Sequence, residues 1–174
     1  MQAPIHLLSG VIINRFFKWT HYRALSMAIM FFTAILLHAI FDKLAVLTYQ
    51  PALPDFSNPL WVIYHIVQWL LAVTFLYIWW GDYKWGILFS LIPDLDWIVL
   101  FPQNVTDTQL IFYHEPLMHN GLNYFMDHVY PFCYMNNLID CRADPLAVLT
   151  EAGILAVLLL LIHIIHSRRR NIHF

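Results

Sequence analysis

Charge is what this chain has least of. Only 11% of its 174 residues are Asp, Glu, Lys or Arg, against roughly a quarter in soluble domains. A fully solvated surface is therefore excluded. Glycine is nearly as scarce, at five residues, and the sequence contains neither a Gly-rich phosphate loop nor a Gly-x-Ser-x-Gly elbow. Basic residues cluster only at Ser167-Arg168-Arg169-Arg170, which reads as a topology signal, so no nucleic-acid partner is expected. The two cysteines, Cys133 and Cys141, lie in one polar loop. They would pair if that loop faced an oxidising compartment, or stand as two free thiols. A cleavable signal peptide is not expected, because Met1-Gln2-Ala3-Pro4 has no basic residue and His6 interrupts the first apolar run. There is no internal repeat and no low-complexity linker, which leaves residues 1–174 as a single domain.

What is present is apolar and aromatic. Hydrophobic residues make up 60% and aromatics 17%, with seven tryptophans, and the mean hydropathy is +0.61. This is the composition of a polytopic membrane protein. The expected fold class is all-α, a membrane helical bundle of about five segments: four clear spans plus a short N-terminal one. The N-terminal segment covers 4–17, and the spans cover 24–47, 60–80, 85–101 and 146–166. Gly81-Asp82-Tyr83-Lys84 is expected to form a tight turn, and Pro93 to kink or end its helix. Residues 102–145 form the expected extracytoplasmic loop. With the C-terminus cytoplasmic, Arg15, Lys18, Arg23, Lys84, Arg168, Arg169 and Arg170, seven of nine basic residues, fall inside. Trp61, Trp80, Trp85 and Trp97 then lie near segment ends, as interfacial belts require. The expected location is the inner membrane, with the N-terminus outside.

That topology gathers the ionisable residues in one layer. His6, His38, Asp42, His65, Asp94, Asp96 and Glu151 all fall in outer halves of their segments, beside a loop carrying His114, His119, Asp127 and His128. Within Ile92-Pro93-Asp94-Leu95-Asp96-Trp97, two carboxylates occupy an otherwise apolar run. Each costs about 2.5–3.5 kcal/mol at the centre of a membrane helix, and a metal ion would offset both. His38 and Asp42, four apart, share one helix face and suit two ligands of one ion. In His114-Glu115-Pro116-Leu117-Met118-His119, the histidines are five apart, about 140° round a regular helix. Pro116 places His114 on an incoming loop and His119 on the first turn of a short helix. The expected metal ligands are therefore His6, His38, Asp42, Asp94, Asp96, His114 and His119. These donors exceed the needs of one tetrahedral zinc and would serve two metals. Zinc is the first expectation, with manganese or iron next. Glu115 or Asp96 is the expected general base. His65 and Glu151 are expected to support the site indirectly or to serve structure alone.

His6-Leu7-Leu8-Ser9-Gly10, Leu91-Ile92-Pro93-Asp94-Leu95-Asp96 and the pair His114 and His119 together resemble the bacterial membrane-bound metal-dependent hydrolase family of the LexA-regulated inner-membrane type. The resemblance covers about the first two-thirds of the chain. It implies an N-terminal histidine, a Leu-Pro-Asp-x-Asp motif, a paired-histidine motif and a His-x-x-x-Asp pair, here His38 and Asp42, reminiscent of zinc-dependent phospholipase C. Glu115 stands where that family carries arginine, and Met118 and Asn120 where it carries threonine and serine. The His-x-x-x-Asp pair also precedes the Pro-Asp-x-Asp motif instead of following it. The functional expectation is an integral-membrane metal-dependent hydrolase acting on a lipid or lipid-linked substrate, phosphoesters included, at the outer face. The alternative is a small accessory or structural subunit of a membrane complex, with protein partners and a structural or vestigial metal. A haem bundle using His38 and His65 ranks last, since haem gives the nearby acids no role.

Overall fold

The computed structural model describes residues 2–17, 23–51, 56–96, 116–129 and 132–170, side chains at 132, 133 and 168–170 excepted. Among the described residues every regular element is helical. Five α-helices follow in order: α1 (Ala3–Phe17), α2 (Arg23–Leu44), α3 (Pro59–Leu91), α4 (Leu117–His128) and α5 (Ala147–Arg170). Short 3-10 helices cover Ala45–Leu47 and Phe132–Asn137.

Three helices are long and apolar enough to cross a membrane: Arg23–Leu47, Pro59–Leu91 and Ala147–Ser167. Their outward sides carry Ile63, Val67, Trp69, Leu70, Tyr77, Leu149, Val157 and Leu160, all exposed. An apolar exterior of that extent suits hydrocarbon, not water. Among the described residues three helices meet that criterion where four clear spans are expected, and residues 97–101 of the expected span 85–101 lie outside the described set. The difference lies at Gly81-Asp82-Tyr83-Lys84, where helical hydrogen bonding runs through what was expected to be a separate turn, and only Tyr83 departs from helical geometry (φ −125°, ψ 16°). Few residues there are strong helix breakers.

Contacts show that α3 nonetheless doubles back at Tyr83. Its early part meets the start of α1, where Gln2 neighbours the Tyr64 hydroxyl. Asn14, near the far end of α1, donates to the Asp82 carbonyl at 3.2 Å. Beyond the bend the run returns, and Gly86 packs against Gly10. A straight 33-residue helix would be about 50 Å long and could not meet α1 in that order. Asn58 starts the run by accepting from the Leu60 and Trp61 amides, with Pro59 at the first position. At the other end Pro93 stops the regular helix: Ile92 is its C-cap, and the chain continues in tight turns, Asp94 N to Leu91 O and Asp96 N to Pro93 O.

The short N-terminal segment is the centre of the bundle. Residues on every side of α1, including Ile5, His6, Leu7, Leu8, Val11 and Ile13, are buried, and α1 touches α2, α3 and α5. A helix that is apolar all round belongs inside. Its core partners come from both arms of α3, Ala72 and Phe75 before the bend and Ile87 after it, and from Leu155, Leu158 and Ile162 of α5. The crossing with the second arm depends on missing side chains. A Cβ on Gly86 would collide with the Gly10 carbonyl, so only glycine permits this approach.

Candidate metal centre

Four parts of the chain deliver a polar cluster. From α1 comes His6 and from α2 come His38 and Asp42, one turn apart on the same face. Asp94 comes from the turn after α3 and His119 from the first turn of α4. The cluster closes tightly. His38 Nε2 lies 3.1 Å from Asp42 Oδ2 and 3.6 Å from Asp94 Oδ1. His119 Nε2 lies 3.3 Å from Asp42 Oδ2, 3.9 Å from Asp94 Oδ1 and 3.5 Å from His38 Nε2. His6 Nε2 lies 3.4 Å from Asp42 Oδ1, and its ring stacks on that of His38 at 3.9 Å.

These separations have a physical meaning. Four donors held 2.0–2.1 Å from a tetrahedral zinc stand about 3.3 Å from one another. The donor-to-donor distances here straddle that value. Two groups could hold a metal ion, His6–His38–Asp42 and His38–Asp94–His119, each with its donor atoms within 4.8 Å of one another. Both use His38. Its Nδ1 faces the Ser90 carbonyl at 2.8 Å, which makes Nδ1 the donor and leaves only Nε2 for an ion. One nitrogen cannot serve two ions, so the two groups describe one ion site with five nearby donors. Among the described residues the expected donors thus gather around one position.

His6 fits the same reading. It is wholly buried, yet neither ring nitrogen has a hydrogen-bond partner. An imidazole aimed at a carboxylate without a hydrogen bond is the posture of a ligand whose lone pair points at a shared ion.

Asp94 and Asp96, two apart, turn to different tasks. Asp94 faces the cluster. Asp96 faces α4: its Oδ2 accepts from the Met118 amide at 2.8 Å and the His119 amide at 3.1 Å. The same oxygen lies 3.3 Å from His119 Nδ1, so Asp96 both caps α4 and turns the other ring nitrogen of His119 toward the centre. Burial pushes the His119 imidazole down, but Asp42 and Asp96 outweigh it and the net shift is upward. Without an ion, His119 therefore favours the proton that metal binding would displace.

His114 and Glu115, expected as a ligand and a base, lie outside the described residues. His119 is on the first turn of a short helix, with Pro116 just before it, as the spacing suggested. His65 takes a structural role: its Nδ1 faces the Trp61 carbonyl at 2.7 Å and its ring stacks on Trp61. Glu151 is buried in a separate contact, accepting the Tyr64 hydroxyl. The Cys133 side chain is outside the described set, and Cys141 is a free thiol, hydrogen-bonded through its amide to the Val46 carbonyl. Lys43, by sequence the one other obvious partner for Asp94 and Asp96, instead reaches Asp127 at 2.6 Å and Asn136 at 3.0 Å and so ties α4 to the end of α2. Its signal was a lone cation next to a ligand, Asp42.

No family model, curated protein or solved structure matches this chain.

Proposed function

We propose that the chain is an integral-membrane metal-dependent hydrolase that acts on a lipid or lipid-linked ester at the outer face. One observation carries this reading: three imidazoles and two carboxylates from four elements converge at donor spacings suited to one tetrahedral ion. His38, His119 and Asp42 or Asp94 would hold the ion, with His6 completing or exchanging within the set. Nitrogen and oxygen donors without sulfur suit zinc first. A divalent ion there would act as a Lewis acid toward an ester carbonyl or phosphoryl oxygen. The chain supplies the rest. Asp96 and the Ser90 carbonyl fix the imidazoles, and α4 covers the site at the membrane boundary.

In this reading the first arm of α3 is one crossing, the second arm begins the expected span 85–101, α1 is the buried central segment, and the N-terminus and metal centre face outside. The carboxylates are the less buried part, with Asp42 20% and Asp94 27% exposed, so the open side of the cluster is the side that a substrate reaches.

The test is hydrolysis by protein reconstituted in liposomes, with phospholipids and neutral lipid esters as substrates. Activity removed by a chelator, restored by zinc and abolished in Asp94→Asn is the expected result. Metal-replete protein that hydrolyses none of them, and co-purifies in fixed ratio with other membrane subunits, overturns it in favour of the accessory-subunit reading.

A further inference from the structure

α4 has three distinct sides. At 100° per residue, His119, Leu122 and Met126 share an arc of about 60°. This side faces the bundle: Met126 is fully buried and His119 nearly so. Asn120, Asn123 and Asp127 share a second arc of about 60°. The third arc, about 120° wide, carries Leu117, Met118, Tyr124 and Phe125, which are 65%, 45%, 68% and 45% exposed, together with Gly121 and, in the last turn, His128, whose ring stacks on Tyr124.

Two moorings set how the helix lies. Asp96, just past the end of α3, binds its first amides. Lys43, in the last turn of the spanning helix α2, pairs with Asp127 on the polar arc. The Lys43 ammonium must sit at or beyond the edge of the hydrocarbon, so the polar arc faces water. The inward arc faces the bundle, about 100° away. The remaining apolar arc, about 130° from each, must then point outward from the bundle and back toward the hydrocarbon. That is the posture of an amphipathic helix lying in a membrane interface, and Tyr124 is a side chain suited to that depth.

We propose that α4 is an interfacial helix whose Leu117, Met118, Tyr124 and Phe125 are immersed in the lipid of the leaflet that borders the metal centre. The partner is the lipid surface itself, and His119 rides on the helix that contacts it. Lipid would reach α4 before it reached the buried donors, so the same helix that supplies a ligand touches the membrane surface. The inference requires the bundle to span a membrane but not the hydrolase activity.

The test is nitroxide scanning of the full chain in liposomes of phosphatidylcholine and phosphatidylglycerol, with Cys133→Ser and Cys141→Ser as background. Labels are attached at Leu117→Cys, Phe125→Cys, Asn120→Cys and Asn123→Cys. Relaxation by molecular oxygen is compared with relaxation by a water-soluble nickel chelate. The ratio of oxygen to nickel accessibility should be several-fold higher at 117 and 125 than at 120 and 123. Equal ratios at all four positions overturn the proposal, and so does low access to both reagents at 117 and 125, which would mark a protein partner. Should a label at 125 disturb the helix, position 117 at its other end carries the same expectation. Because the readout does not involve metal, loss of the hydrolase reading would leave this result standing.

Discussion

His6 is wholly buried and has no hydrogen bond at either ring nitrogen. Such a group costs about 1–3 kcal/mol when left unpaired. Two opposite effects of His6→Leu follow. Zinc affinity should fall at least about tenfold, while the thermal stability of chelator-treated protein should hold or rise, because the orphaned group is gone. Zinc competition and melting with and without chelator check both, and a lower melting point in chelator would point to a purely structural His6. Asp96 acts through His119, so Asp96→Asn should weaken metal binding by about 10–100-fold without removing it. Unchanged affinity would assign Asp96 to capping alone. At this scale the sequence was readable where one helix sets the geometry. His38 and Asp42 meet because four residues make one turn. The division between Asp94 and Asp96 was not readable, because it depends on α4 docking from more than twenty residues away.

Among the elements, α1 was underestimated. Its 15 residues are short for a crossing, which drew attention away from a pattern that is apolar on every side, the mark of a buried helix. The bend in α3 was legible as Gly81-Asp82-Tyr83-Lys84, but the continuity of helical hydrogen bonding through it was not, since a single residue carries the departure. Gly86→Leu should force α1 from the second arm of α3 and destabilise the fold, with overpacking costing about 1–3 kcal/mol or more; thermal melting in detergent measures it. Lys43 moors α4 from outside. Lys43→Met should lower zinc affinity several-fold, and the exchange Lys43→Asp with Asp127→Lys should recover part of it. No recovery in the exchanged pair would mean that charge pairing is not what holds α4. Hydrogen bonds from Lys43 and Asn136 hold the Asp127 carboxyl below its ordinary value. A depressed value stabilises the folded form above the ordinary carboxylate range and is lost as pH falls through the lowered one, so the mooring should weaken only below about pH 4. Zinc release that tracks this mooring would then appear below that pH, whereas release governed by imidazole protonation would begin near neutral pH.

For the whole molecule, the gathering of charge at one end was the most legible feature. Few charged residues are available, and a membrane bundle can place intramembrane acids and imidazoles only where they have partners. Positions along the spans were therefore enough to bring His6, His38, Asp42 and Asp94 into one layer. What spans alone could not give was which nitrogen of His38 faces the cluster, because that depends on the Ser90 carbonyl that takes the other. The most direct test is elemental analysis of wild-type protein and Asp94→Asn purified side by side after growth with zinc. The account predicts one nitrogen- and oxygen-bound zinc per wild-type chain and a clear fall in the variant. Wild-type protein free of metal, or occupancy identical in the two, would contradict it.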